Sequence, residues 1–157
     1  MNLKMREYLP GVLNGLTGIG VLIVSFWVDH RLPIPKEAAK PLGIFIVFIG
    51  MSLVVWAIVH IREAIMGDVE PILKVLVKEG PYRFVRHPVY LGMTIALIGV
   101  AVALRSLLGL IGVFLLYLPS GVYRAKLEEK ALAQKFGAEW ENYTKQTGFI
   151  LPIPGKK

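Results

Sequence analysis

Two stretches of the 157-residue sequence hold most of its chemistry. The first reads Gly80-Pro81-Tyr82-Arg83-Phe84-Val85-Arg86-His87-Pro88-Val89-Tyr90-Leu91-Gly92. Gly-Pro marks a turn, and Pro88 suits the first position of a helix. A residue before proline avoids helical geometry, so His87 falls on an extended lead-in and Tyr90 and Gly92 on the first helical turns. With no side chain, Gly92 offers a ligand close approach to the backbone. The second stretch, residues 124–137, reads as a helix that stops at Gly137. Arg124 and Glu128 lie four apart on one of its faces, and the adjacent carboxylates Glu128 and Glu129 suit a cation or ribose hydroxyls. Each stretch also has a plainer reading. Tyrosine, arginine and histidine at a helix start are common headgroup anchors, and an i, i+4 ion pair on a surface helix contributes only a few tenths of a kcal/mol. Trp140, Tyr143 and Phe149 read as interfacial anchors of the tail, and His60 as an interfacial residue; His30 receives no role.

The elements that must position these residues are apolar. The chain is 55% hydrophobic and 18% charged, and the apolar residues fall in long blocks, unlike a water-soluble helix with one wet face. Four runs stand out, at residues 12–28, 42–61, 89–104 and 107–123. The first follows Lys4 and Arg6 in the manner of a signal peptide, but it is long and lacks a clean cleavage site, so it reads as retained. The second carries no charge and covers roughly 30 Å at about 1.5 Å per residue. Only Arg105 and Ser106 separate the third from the fourth, which forces an antiparallel hairpin. Pro119, Ser120 and Gly121 predict a kink near the end of the fourth run. The expected architecture is all-α: one polytopic membrane domain over residues 1–157, with four transmembrane helices and a cytosolic C-terminal amphipathic helix.

Charge sets the orientation. With four spans, the N-terminus, the 62–87 loop and the C-terminal tail share one side and carry fourteen of the 18 lysines and arginines. Excess Lys and Arg mark the cytoplasmic side, so both termini and both polar stretches are expected there, close enough to form one site. The net charge of +7 is accounted for by topology and lipid headgroups; no basic stripe interleaved with aromatics suggests nucleic acid. Without cysteine there is no disulfide framework, thiolate zinc site or cysteine nucleophile, and the three scattered histidines suggest no metal site. Oligomeric state is not legible.

The 80–92 run, the pair Glu128-Glu129, and then Phe136-Gly137 and Tyr143 resemble the isoprenylcysteine carboxyl methyltransferase family, and are similar to the related phospholipid methyltransferases. The resemblance covers residues 76–152; the spans within 12–61 carry no motif. It implies an integral membrane enzyme that uses S-adenosylmethionine and takes a lipophilic or prenylated acceptor from the bilayer. By the resemblance, Tyr82, Arg83, His87, Tyr90, Gly92, Glu128 and Glu129 would bind the cofactor, and Arg124, Arg86 and Glu128 would lie near the reacting groups. Met93-Thr94 after Gly92 departs from the Gly-x-Gly of phospholipid methyltransferases, which weighs against that branch. Phospholipid amines and lipophilic thiols are alternative acceptors. An NADPH-dependent membrane reductase and a non-enzymatic scaffold are the rival classes.

Overall fold

The computed structural model describes residues 3–27, 31–66 and 75–152. Val28, His30, Lys74, Lys156 and Lys157 lie outside the described residues. Among the described residues every regular element is helical: α1 (Leu3–Trp27), α2 (Lys36–Met66), a 3₁₀ turn (Gly80–Arg83), α3 (Pro88–Ala103), α4 (Leu107–Gly112), a π turn (Val113–Tyr117), α5 (Leu118–Phe136) and α6 (Ala138–Gln146).

Among the described residues three stretches are long and apolar enough to cross a membrane: Leu9–Trp27, Lys36–Ile61 and the continuous run Leu107–Phe136. Their outward side chains include Leu16, Ile23, Phe45, Phe48, Leu115 and Leu116, all well exposed. Such surface is favourable against lipid and costly against water, so the chain is a membrane protein. The third apolar run forms a shorter helix: the 16 residues of α3 cover roughly 24 Å, less than the roughly 30 Å of hydrocarbon.

The helices alternate in direction. α2 and α3 pack antiparallel with small residues at the seam: a Cβ on Gly43 would collide with the Ala103 backbone, and one on Gly50 would lie 2.5 Å from the Gly92 carbonyl. Small residues let helix backbones approach this closely in lipid. The α3–α4 link turns at Arg105, which adopts a left-handed φ of 58°. Its carbonyl accepts from the Leu32 amide at 2.6 Å, and Ser106 caps α4 by accepting from the Gly109 amide at 2.9 Å. The expected tight hairpin is formed.

The irregularity expected at Pro119 appears one turn earlier, as the π turn. Proline lacks an N–H and its ring crowds the carbonyl four residues back. Here the Leu118 amide reaches the Val113 carbonyl, five residues back, which widens the turn before the proline. Ser120 Oγ donates to the Tyr117 carbonyl at 2.8 Å and accepts from Asn14 Nδ2 at 2.9 Å, tying α5 to α1. Past this point α5 runs on unbroken to Phe136, so the charged stretch from Arg124 extends the last apolar helix and is not separate from it. It stops at Gly137, whose φ of 52° suits a residue without a side chain.

These pairings bring the start of α1, the end of α2, the start of α3 and the charged half of α5 to one end of the bundle. Arg31 and Arg105 lie at the other.

Candidate active site

The 80–92 stretch is fixed at the charged end from two sides. Gly80, with φ of 58°, lies so close to the His60 ring that a Cβ would collide with it. On the other side, residues 84–87 pair with the tail. The Gly148 amide donates to the Phe84 carbonyl at 3.1 Å, the Arg86 amide to the Gly148 carbonyl at 2.8 Å and the His87 amide to the Phe149 carbonyl at 3.2 Å. α6 then folds back so that Trp140 and Tyr143 are buried with Leu76 against Leu132 and Phe136. The Tyr143 hydroxyl donates to the Tyr82 carbonyl at 2.6 Å. Burial pushes the Tyr143 phenol up to about 12 and raises the Tyr82 phenol as well, so both remain protonated donors near neutrality. The interfacial reading of Trp140 and Tyr143 is therefore corrected: they form the core under the site. The sequence hid this because α6 has no long apolar run.

Inside this frame the polar side chains meet. The Tyr90 hydroxyl donates to Glu128 Oε1 at 2.7 Å, and Arg124 Nε donates to the same oxygen at 3.1 Å. The His87 ring stands between the paired glutamates, with Nδ1 3.7 Å from Glu128 Oε2 and Nε2 3.5 Å from Glu129 Oε1. These separations are long for hydrogen bonds, and His87 Nε2 is buried without a hydrogen-bond partner. Glu129 is instead engaged by Arg86 Nε at 2.5 Å. Arg86 Nη1 also donates to the Thr147 carbonyl at 2.5 Å and to the Thr144 carbonyl at 3.3 Å, two of the carbonyls that a helix end leaves open. With its guanidinium 5.7 Å from the centre of the Phe149 ring, Arg86 is committed to holding the tail.

A cavity of about 600 Å³ lies beside these groups, within the usual range for small-molecule sites. Tyr82, Arg86, His87, Tyr90, Arg124 and Glu128 line its charged end, Leu132, Phe136, Trp140 and Tyr143 its aromatic side, and Leu22, Met93, Leu97 and Tyr117 its depth. Leu97 is seven residues beyond Tyr90, so the cavity runs roughly 10 Å along the helices from charged to apolar lining.

Two residues expected at the site lie elsewhere, and a third, Glu129, is turned to Arg86 and does not line the cavity. Gly92 faces α2, where a Cβ would come within 2.7 Å of both the Gly50 carbonyl and Val54 Cγ2; the close approach it permits is taken by a helix, not left to a ligand. Arg83 is exposed and lines a second pocket, on the other side of Tyr143, with Lys78, Glu139, Asn142 and Gln146. Conversely, α1, which showed no motif, supplies Asn14, Gly15 and Gly18 to the cavity wall. A buried asparagine in an apolar span is itself a functional signal.

The phospholipid methyltransferase family model matches residues 39–139, more than half of the chain, from α2 to the start of α6. The chain belongs to that family. It is 26% identical over 146 residues to "Methanethiol S-methyltransferase 1" of Bradyrhizobium diazoefficiens, covering 83% of this chain and 50% of that one. It is 27% identical over 150 residues to "Methanethiol S-methyltransferase" of Pseudomonas deceptionensis, covering 84% of this chain and 55% of that one. The chain thus spans about half the length of the curated relatives it matches. Met93-Thr94 after Gly92 does not set it apart from the phospholipid methyltransferase family, and the match favours a methyltransferase over a reductase or a scaffold.

Proposed function

We propose that this chain is an integral membrane methyltransferase that binds S-adenosylmethionine at the charged end of the cavity and methylates a lipophilic acceptor, a thiol above all. The observation that carries the reading is the single cavity joining a carboxylate, a guanidinium and a histidine to an apolar depth. The residues fit the cofactor. His87 lines the charged end beside Glu128, where its ring can hydrogen-bond a polar ligand. Glu128 and the faces of Tyr90, Trp140 and Tyr143 suit a sulfonium or an ammonium. Arg124 suits a carboxylate, and Leu132 and Phe136 suit an apolar ring edge. The cofactor supplies a methyl group on a positively charged sulfur.

The chain's own residues position, dry and deprotonate. Methyl displacement is in-line and depends on orientation more than on acid–base groups. The apolar depth lined by Leu22, Met93, Leu97 and Tyr117 takes the acceptor's apolar part and excludes water. A thiol must lose its proton to become a good nucleophile. In this reading Glu128 Oε2 takes that proton, since Tyr90 and Arg124 donate to Oε1. The names of the curated relatives support the thiol. A carboxylate acceptor, as in isoprenylcysteine carboxyl methylation, is the second reading: Arg124, part-exposed at the cavity, would orient it with two hydrogen bonds and no base would be needed. In this account α3 is a fourth crossing, because it runs between the two ends of the bundle with α2 on one side and α1 and α5 on the other. The charged end is cytoplasmic by the lysine and arginine excess.

The test is transfer of labelled methyl from S-adenosylmethionine, in lipid vesicles, to an alkanethiol, a prenylated cysteine and phosphatidylethanolamine. A base-stable thioether is expected. A base-labile methyl ester would establish the second reading, and label in the phospholipid alone the phospholipid branch. No transfer to any of the three would contradict the proposal.

A further inference from the structure

Arg124 reaches across the charged end to α1. A Cβ built on Gly11 would overlap its guanidinium and lie 2.9 Å from Cζ and 3.4 Å from Nη2. The group that donates to Glu128 from one edge therefore rests on the bare backbone of α1 with the other. Along the same helix, a Cβ on Gly15 or Gly20 would meet nothing within 4 Å, so the lack of a side chain is used at position 11 and not at those two.

We infer that Gly11 is a positioning residue for the site: its bare backbone seats the Arg124 guanidinium and sets where the cavity's cation stands relative to Glu128. The neighbour a side chain would displace is the far end of a flexible arginine, not backbone. Alanine at position 11 therefore leaves the fold intact and moves the guanidinium. It follows that α1 takes part in the chemistry although the sequence marks only α3 and α5. A shift of about an ångström in an orienting group can cost on the order of a hundredfold in rate, so a methyl group here has a large effect for its size. The effect on turnover rests on the methyltransferase reading; the coupling of residues 11 and 124 does not.

The experiment is a double-mutant cycle of Gly11→Ala and Arg124→Ala in the full chain, with Gly20→Ala as the control. Gly11→Ala is expected to lower methyl transfer roughly ten- to a hundredfold when Arg124 is present and to cause no further loss in the Arg124→Ala background. An equal loss in both backgrounds, or none with Arg124 present, overturns the inference. If the wild-type chain transfers no methyl, the proposed function falls. In that case, or if Arg124→Ala leaves too little turnover to compare, melting temperatures in detergent decide the coupling. Alanine favours helix over glycine. Gly11→Ala should therefore raise the melting temperature in the Arg124→Ala background as Gly20→Ala does in the wild type, and raise it less, or lower it, when Arg124 is present. The same shift in both backgrounds overturns the inference.

Discussion

Toward α2, helix α3 packs through Gly92, Ala96, Gly99 and Ala103 so closely that no added methyl group fits at either glycine. Toward α1 and α5 the same helix presents Tyr90, Met93 and Leu97 and lines a cavity of about 600 Å³. Side-chain size accounts for the difference. Small residues let backbones touch and gain dispersion energy where lipid offers no hydrophobic drive. Large and polar ones, tied across by Tyr90–Glu128 and Asn14–Ser120, hold the helices apart and leave room for ligands. One seam is closed by backbone contact and the other is open around a cavity.

The comparison can be broken at either seam. The largest effect on stability is expected at the closed one. Gly92→Leu drives a side chain into the Gly50 carbonyl and the Val54 backbone, neither of which can rotate away. It should cost about 3 kcal/mol or more, read as a lowered unfolding midpoint in detergent. Met93→Ala on the open face trims a half-buried side chain that already borders the cavity, so its cost should be visibly smaller.

Next is the clamp that joins the two polar stretches. Arg86→Ala strands Glu129, whose side chain is only 22% exposed, and frees the Thr144 and Thr147 carbonyls. A loss of about 2 kcal/mol is expected, with hydrogen exchange rising first in residues 144–150. Unchanged protection there would show that the backbone pairing of residues 84–87 with the tail suffices. The smallest effect is Tyr143→Phe, which removes the hydrogen bond to the Tyr82 carbonyl and keeps the ring. About 1 kcal/mol is expected, by the same unfolding measurement.

These contrasts also mark what the sequence could reveal. The apolar runs, the Arg105-Ser106 hairpin, the stop at Gly137 and the meeting of His87 with Glu128 and Glu129 were all legible. Run length, turn chemistry and charge asymmetry are local properties. Facing was not legible. A helix that is apolar all round has no hydrophobic stripe from which its inward side can be read, so the sequence offers Gly92 to a ligand and shows no motif in α1. Arg83 and Arg86 are three residues apart in one motif, yet one is exposed and the other is spent on tail carbonyls 58 and 61 residues away. That split depends on how α6 folds back, and α6 is placed by burial of Trp140 and Tyr143, which no periodicity announces.

The central claim is that the open seam is a cofactor site built on Glu128. Calorimetric titration of the detergent-solubilised chain with S-adenosylhomocysteine and with NADPH, beside a Glu128→Ala variant, tests it most directly. S-adenosylhomocysteine is expected to bind and NADPH is not, and the variant is expected to lose the binding while keeping the wild-type helical content. Binding of NADPH alone, of neither compound, or of S-adenosylhomocysteine with undiminished affinity in the variant would contradict it.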